Sequence, residues 1–268
     1  MTGDVTMPSR ATLVEIMRAQ RNVLTALILR DIRTRFGSAP GFLIVIAWPL
    51  SHILILLAIN VGLDRLAPYG ESTVLWFSVS MTPFMIVSYT SRFMMIGLVL
   101  NRPLLVFPII SVFDILLSRV LIEMIVSACV VACLALILLS LEVDFMPNDA
   151  GMAVSALGAS LLLGVGLGIN NAIIAMMMPQ WLTVYSLATI LLWITSGAYF
   201  LPGALSSQIL GYLYFHPFVH CIEWLREAYF SGYQSPLLDK AYLLGFGLWS
   251  VSAGLVMERA LRGRVLLA

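Results

Sequence analysis

Residues 120–141 read VLIEMIVSACVVACLALILLSL, and Glu123 is the only charged side chain among these 22 residues. A helix needs about 20 mostly apolar residues to cross the hydrocarbon core of a bilayer. The apolar residues follow one another without the strict alternation that is typical of strands in an outer-membrane barrel. This run therefore predicts a membrane-spanning helix.

Five further apolar runs accompany this one along the chain. They cover residues 41–63, 74–100, 152–178, 181–198 and 241–257. The six runs together predict an all-α integral membrane protein with six transmembrane helices. An even number of spans places both termini on the same side of the membrane.

The composition supports a membrane protein. The chain has 268 residues, of which 60% are hydrophobic and 11% are charged. A soluble domain carries about 25% charged residues, so this chain lacks the polar side chains to cover itself with a solvated surface. A soluble enzyme, a nucleic-acid-binding protein and a disordered scaffold are excluded. Three cysteines in so long a chain give no disulfide framework.

The basic residues outside the spans are distributed unevenly. Eleven arginines fall on the side that holds both termini, whereas Arg65, Arg226 and Lys240 fall on the other. Because short cytoplasmic segments carry an excess of basic residues, both termini are expected in the cytoplasm. The eleven are Arg10, Arg18, Arg21, Arg30, Arg33, Arg35, Arg102, Arg119, Arg259, Arg262 and Arg264.

Residues 1–40 are predicted to form a cytoplasmic N-terminal segment. Within it, residues 9–29 carry apolar side chains at three- and four-residue spacing, which predicts an amphipathic interface helix capped by Ser9. The alternative is a helix packed only on protein. The sequence RDIRTRF follows at residues 30–36. Anchoring by the positive-inside rule explains its arginines but not Asp31, which indicates a partner or a local ion pair.

Residues 101–108 read NRPLLVFP and connect the second and third spans on the cytoplasmic side. Its two prolines prevent simple continuation of the helix, so the chain is expected to turn here. An apolar turn that faces water is unfavourable. The sequence therefore indicates either a docked partner or a turn that lies in the headgroup region.

Residues 199–240 form the longest connection, on the non-cytoplasmic side, and are rich in aromatic and aliphatic side chains. Pro202 and Pro217 interrupt the segment and predict two short helices, re-entrant into the outer leaflet. Irregular backbone at such depth is tolerated only where protein or a water-filled cavity covers it. We therefore expect this segment to cover a pathway.

Several patterns of catalytic or ligand-binding chemistry are absent or weak. A phosphate-binding P-loop needs a lysine after its glycines, and Lys240 is the only lysine. Gly164 and Gly168 lie within a span and predict a small-residue face for close helix packing. His216 and His220 have helical spacing, but the order HExxH is missing, so no metal site is expected.

Four ionisable side chains fall within or at the ends of the spans: His52, Arg92, Arg119 and Glu123. Such residues are functional hypotheses by default. Arg119 and Glu123 are four residues apart and are expected to pair. Arg92 either extends to the cytoplasmic interface or lines an aqueous path.

Aromatic side chains fall into two groups along the spans. Those at the span ends fit the belts that anchor a protein at the bilayer interfaces, as for Trp76, Phe77 and Trp181. The deeper group suits either a path for sugars, whose apolar faces slide over aromatic rings, or ordinary packing. It consists of Trp48, Phe84, Tyr89, Tyr185 and Trp193.

Together these motifs resemble the membrane subunit of an ABC-2 type exporter, specifically a bacterial capsular polysaccharide export permease. The resemblance covers nearly the whole chain and is strongest near its end. It rests on LRDIRTRF at 29–36, WPL at 48–50, NRPLL at 101–105, HPFVH at 216–220 and EWLREAYFSGY at 223–233. The sequence GFL at 41–43 departs from the family, whose members have a bulkier aromatic there.

The resemblance implies a homodimer with a channel between its subunits, bound to a separate dimer of ABC ATPase subunits. ATP and Mg²⁺ would bind that ATPase and no cofactor would bind this chain, so the chain would not be an enzyme by itself. Residues 41–257 would form the six-span ABC-2 type domain and residues 258–268 a cytoplasmic basic tail. The substrate would be a long, often acidic, lipid-linked polysaccharide, and no nucleic acid would be involved. A periplasmic co-polymerase and an outer-membrane pore would complete the export route from the inner membrane.

The resemblance also assigns roles to residues. Residues 101–110 would be the coupling helix and residues 199–230 the periplasmic gate. The ATPase-coupling set is Arg30, Asp31, Arg33, Arg35, Asn101, Arg102, Pro103, Leu104, Leu105 and Phe107. The candidate channel-lining set is Trp48, Phe84, Tyr89, Arg92, Tyr185 and Trp193. The candidate gate set is Tyr199, Phe200, Tyr212, Phe215, His216, His220, Glu223 and Arg226.

Two alternatives stay open at this point. Within the same class, the chain is an exporter of O-antigen, teichoic acid or small molecules. In a different class, it is a membrane-embedded enzyme, which would need His, Asp or Glu side chains that converge near one interface. The acidic residues Glu142, Asp144 and Asp149 have no histidine near them in the sequence.

Overall fold

Helices follow the apolar runs of the sequence closely. The computed structural model describes residues 13–36 and 39–267, and every regular element within these two ranges is helical. The all-α fold class is therefore confirmed for this part of the chain. Its helices are α1 (Leu13–Phe36), α2 (Ala39–Gly62), α3 (Thr73–Leu100), α4 (Val112–Ser140), α5 (Ala150–Met177), α6 (Trp181–Thr195), α7 (Ser207–Leu213), α8 (Pro217–Tyr229) and α9 (Lys240–Leu267).

Five of the described helices are long and apolar enough to cross a membrane, namely α2, α3, α4, α5 and α9. The run predicted at residues 181–198 forms α6, which has 15 residues. At 1.5 Å per residue α6 rises about 22 Å, whereas the hydrocarbon core is about 30 Å thick. The chain is an integral membrane protein, and the sixth span stays a prediction.

Helix α1 runs without a break through the charged cluster that was expected to follow it. Its side chains differ strongly in exposure, since Leu27 is buried and Met17 is 72% exposed. The predicted cap at Ser9 lies outside the described residues, and whether α1 lies at a membrane interface stays a prediction.

Helices α3 and α5 form the centre of the bundle. In α3, 67% of the most apolar 18-residue window is buried, compared with 50% in α5 and 28% in the other three long helices. Helix α5 packs against α3 on one side and against α9 on the other. The remaining apolar faces of the long helices are exposed and available to lipid or to another chain.

Glycines allow α5 to approach both neighbours closely. A Cβ atom on Gly164 would lie 3.1 Å from the Val87 Cα of α3, and one on Gly168 would lie 3.1 Å from the Ser91 Cα. Real Cβ contacts are rarely this short, so both positions need the absence of a side chain. The predicted small-residue packing face of Gly164 and Gly168 is confirmed.

We expect Gly164→Val to destabilise the protein by about 1–3 kcal/mol, because the new side chain meets backbone atoms of α3. Gly158→Val is the matched control, since no atom lies within 4 Å of a Cβ there and the change in helix propensity is the same. Thermal unfolding in detergent measures the difference. Equal midpoints for the two variants would show that the close contact between α3 and α5 is not needed.

Two short helices follow α6, as predicted from Pro202 and Pro217. They are α7 and α8, and a 3₁₀ turn at Pro202–Ala204 precedes them. Pro217 lies in the first turn of α8, where a missing N–H is not required for helical hydrogen bonding. Re-entry of these helices into the outer leaflet stays a prediction.

Candidate functional site

Two polar contacts fasten the charged cluster of α1 to the bundle. Arg119 Nε in α4 lies 3.3 Å from Asp31 Oδ2, and both side chains are almost fully buried. Arg30 donates a hydrogen bond to Asn101 Oδ1 at the end of α3. A partner or a local ion pair was predicted for Asp31, and the structure gives it an ion pair with Arg119 of another helix. The pairing of Arg119 with Glu123 stays a prediction.

The turn after α3 is a 3₁₀ helix, Arg102–Val106. Leu104 and Leu105 are half-buried and pack on a cluster that contains Leu27 of α1. Ser111 and Asp114 then begin α4 with a reciprocal capping box. The predicted turn is thus confirmed, and both of its ends are fixed to the bundle.

The outer face of this turn is exposed although it is largely apolar. Val106 is 82% exposed and Ile109 is 66% exposed. An exposed apolar patch on a small, anchored turn is typical of a surface that another protein or a membrane covers. The exposed residues are Arg102, Pro103, Val106, Phe107, Pro108 and Ile109. Arg33 is also exposed, on α1, and the side chain of Arg35 lies outside the described part of the structure.

Four of the six candidate channel residues meet in one groove between α2, α3 and α6. The groove has a volume of about 550 Å³. Arg92 is exposed on its wall and donates from Nη1 to Ser186 Oγ over 3.2 Å. Whether Arg92 extends to an interface or lines a path stays a prediction. The four residues are Trp48, Phe84, Tyr89 and Arg92.

A series of aromatic rings leads from this groove toward the segment after α6. The centroids of neighbouring rings lie no more than 6.2 Å apart, a separation that is typical of edge-to-face and offset contacts between aromatic rings. The series joins α2, α3 and α6, reaches the beginning of the predicted gate at Tyr199 and ends at Phe77 of α3. In order, its members are Phe93, Tyr89, His52, Trp193, Tyr199 and Phe77, with centroid separations of 5.7, 6.2, 6.0, 5.2 and 6.1 Å.

Trp193 does not line the groove but contacts His52 and Phe84, which do. Tyr185 lies away from the groove. It is buried in a cluster with Met95 and Ala175, and its hydroxyl group is hydrogen-bonded to Ser91. In this arrangement Tyr185 joins α6 to α3 by packing. A role in lining a channel stays a prediction for this residue.

Arg226 is the centre of a buried polar cluster in the predicted gate. Its side chain is completely buried, and Nη1 lies 2.6 Å from Glu223 Oε1. Nε donates to Ser80 Oγ of α3 over 2.9 Å, and Nη2 donates to the Gly197 carbonyl over 2.8 Å. The guanidinium carbon lies 4.1 Å from the centre of the Trp76 ring, a cation–π contact. Arg226 therefore fastens α8 both to α3 and to the chain that leaves α6.

The second oxygen of Glu223 is occupied as well. Tyr233 donates its hydroxyl hydrogen to Glu223 Oε2 over 2.7 Å. Burial and the nearby Glu223 carboxylate raise the pKa of Tyr233, so this hydroxyl group stays a donor at ordinary pH. The predicted local pairing of Glu223 with Arg226 is confirmed, and it lies inside a network that involves three further elements.

The other gate candidates surround this cluster at different depths. Tyr199 and Phe200 are half-buried, whereas Tyr212 is 75% exposed and Phe215 is 71% exposed. His216 Nε2 lies 3.0 Å from Thr195 Oγ1 at the end of α6. Fully buried His220 contacts backbone groups through both ring nitrogens. Within the described ranges, no three His, Cys, Asp or Glu side chains are grouped so as to hold a metal ion.

Sequence reasoning missed three members of the cluster, which are Trp76, Ser80 and Tyr233. The prediction that Trp76 and Phe77 belong to an interfacial belt is wrong, because their side chains are 0% and 2% exposed and lie in the core of the bundle. The hydroxyl-bearing residues spaced along the first half of α3, Ser80 among them, were an available signal for a polar partner.

The family model of the ABC-2 type transporters matches residues 22–230, so the chain belongs to that family. Two similar proteins come from different bacteria. The polysialic acid transport protein KpsM of Escherichia coli is 28% identical over 242 residues, covering 90% of this chain and 93% of that protein. The capsule polysaccharide export inner-membrane protein CtrC of Neisseria meningitidis serogroup B is 26% identical over 249 residues, covering 89% and 93% respectively.

Proposed function

We propose that this chain is the membrane permease subunit of an ATP-driven exporter that moves lipid-linked capsular polysaccharide across the bacterial inner membrane. The observation that carries the proposal is the unbroken series of rings from the Arg92 groove to the gate segment, in a member of the ABC-2 family. The names of the similar proteins support the substrate class, since they describe transport of polysialic acid and export of capsule polysaccharide.

The path would use two kinds of contact. Aromatic faces bind the apolar faces of sugar rings without fixed hydrogen bonds, so a polymer can advance from ring to ring. Arg92 adds a positive charge on the wall of the groove, which suits an acidic sugar or a phosphate of the lipid carrier. Because the groove is open at the surface of one chain, a homodimer would close it into a channel with six spans from each subunit.

Energy would come from a separate dimer of ABC ATPase subunits that binds ATP and Mg²⁺ at the cytoplasmic face. The exposed apolar face of the turn at residues 102–109 would dock into each ATPase subunit. Movement of the turn would reach α1 through the contact between Arg30 and Asn101. It would reach α3 directly, because Asn101 is the C-terminal cap of that helix. Both termini would lie in the cytoplasm, and a periplasmic co-polymerase and an outer-membrane pore would receive the polymer.

The first test is co-purification with the ABC ATPase that is encoded beside this chain, followed by ATP turnover in lipid. We expect Val106→Asp to weaken ATPase binding by about tenfold or more, since a charge is placed at the centre of an apolar docking surface. Folding should be unaffected, because Val106 is 82% exposed. Leu66→Asp is the matched control: Leu66 is 87% exposed in the loop between α2 and α3, at the opposite end of α3 from the turn.

Two results would contradict the proposal. If no ATPase co-purifies with the unaltered chain in mild detergent, the coupling role of the turn is lost. If Val106→Asp and Leu66→Asp export polysaccharide equally well, the turn is not the docking surface. Conversely, selective loss in Val106→Asp establishes an ABC permease and leaves the identity of the polysaccharide to a separate export assay.

A further inference from the structure

A closed ring of three hydrogen bonds joins α7, α8 and α9. His220 Nε2 donates to the Tyr214 carbonyl over 2.7 Å, and the Asp239 backbone N–H donates to His220 Nδ1 over 3.0 Å. The Tyr214 hydroxyl group then donates to Asp239 Oδ2 over 2.7 Å. Tyr214 follows α7, His220 lies in α8, and Asp239 precedes α9, so the ring links three separate elements.

The geometry specifies the protonation state of the imidazole. A carbonyl oxygen can only accept, so Nε2 carries a hydrogen, and an amide N–H can only donate, so Nδ1 carries a lone pair. His220 is therefore neutral in this arrangement. A second proton would have to bind at Nδ1, where it would face the Asp239 N–H and break the ring.

The contact between Asp239 and His220 also affects α9, the last of the long helices. Its Oδ1 accepts from the Tyr242 backbone N–H over 2.8 Å, so Asp239 caps the N-terminus of α9. The Tyr242 ring also packs on the imidazole, with centroids 4.9 Å apart. Displacement of Asp239 would loosen the beginning of α9 together with its attachment to α7.

We propose that His220 is a positioning residue whose neutral imidazole holds α7 and the N-terminus of α9 against α8, and whose protonation releases them. Acidification of the compartment outside the inner membrane would then loosen the gate segment. The link to gating rests on the proposed function, whereas the release itself does not.

The surroundings of His220 set the pH range. Burial lowers the pKa of His220 below its ordinary value of 6.5, although the Tyr214 carbonyl and the carboxylates of Asp239 and Glu223 act in the opposite direction. Because the pKa is lower with the ring closed, the stabilisation is fully present above pH 6.5 and is lost as the pH falls through the lowered value. The remaining groups nearby are His216, whose pKa is also lowered, Tyr242, and Lys240, whose Nζ lies 3.8 Å from Glu227.

Amide hydrogen exchange of the full chain in nanodiscs tests the release directly. Exchange is compared between pH 7.5 and 5.0 after correction for its intrinsic pH dependence, in peptides that cover residues 213–222 and 236–245. Between the ordinary pKa of His220 and its lowered pKa in the closed ring, we expect local opening to rise by up to about tenfold for each unit by which the pH falls. Corrected exchange that is the same at both pH values would overturn the proposal.

Three variants assign the effect to His220. In His220→Gln the pH dependence should disappear whatever the basal exchange, whereas His216→Gln should retain it. In Asp239→Asn the cap is kept but the negative charge is lost, so opening should shift to lower pH. A pH dependence that persists in His220→Gln overturns the proposal. If exchange responds as expected but export by His220→Gln equals that of the unaltered chain at both pH values, the release stands and the gate role of residues 199–230 fails.

Discussion

Replacement of Arg226 by methionine is expected to destabilise the protein by about 3–5 kcal/mol and to abolish export, because it leaves the Glu223 carboxylate buried without a counter-charge. Glu223 is 0% exposed. The same change deprives Ser80 and the carbonyl of Gly197 of their donor. Thermal unfolding in detergent and an export assay in cells measure the two effects.

Two further variants separate charge from geometry. Arg226→Lys keeps the positive charge, but the lysine cannot reach Ser80 and Gly197 together with Glu223. Its stability should therefore lie between that of the unaltered protein and that of Arg226→Met. The double variant Glu223→Gln with Arg226→Met should be more stable than Arg226→Met alone, because the unpaired charge is removed. If the double variant is as unstable as the sum of its single variants, the ion pair is not what holds the cluster together.

Replacement of Gly97 by valine is the second change for which we expect a large effect, again about 3–5 kcal/mol. A Cβ atom at Gly97 would lie 2.8 Å from Cδ and Cζ of Arg119, too close for any real contact. The guanidinium group would have to move, and its buried pair with Asp31 would break. Because this pair holds α1 against α4, the anchor of the turn at residues 102–109 should weaken as well.

The midpoint of thermal unfolding and ATPase binding are the measurements for Gly97→Val. Gly158→Val again provides the control for a valine placed in a helix with open space around it. Gly97→Ala should show a smaller loss in the same direction. Unfolding of Gly97→Val at the same temperature as Gly158→Val would mean that Arg119 can leave Asp31 without consequence.

The five span-length helices could be predicted from the sequence because each is a long local pattern. The run predicted at residues 152–178 corresponds to α5 at Ala150–Met177, and the run at 74–100 corresponds to α3 at Thr73–Leu100. Hydropathy did not give the exact ends of the helices. Helix α4 begins at Val112, eight positions before the predicted residue 120, because Ser111 and Asp114 form a capping box at that point.

The polar contacts of the candidate site could be predicted only in part. The ion pair of Glu223 with Arg226 is local, and helical spacing was enough to find it. The same spacing could not show that Arg226 also reaches Ser80, which lies in another helix. Asp31 was identified as a residue that needs a partner, yet its partner Arg119 is fixed by the packing of α1 on α4. Contacts of this kind depend on the crossing of helices, which no single segment encodes.

The short length of α6 has a consequence for the surrounding lipid. If α6 is the sixth span, its apolar surface is about 8 Å shorter than a typical hydrocarbon core. Hydrophobic mismatch of this size thins the bilayer locally or draws another protein surface alongside. Carbonyl groups of Gly197 and Phe200, just beyond α6, accept hydrogen bonds from Arg226 and so do not depend on water at that depth. The length of the lipid acyl chains would therefore set the thickness of the hydrocarbon layer that a lipid-linked polymer meets beside α6.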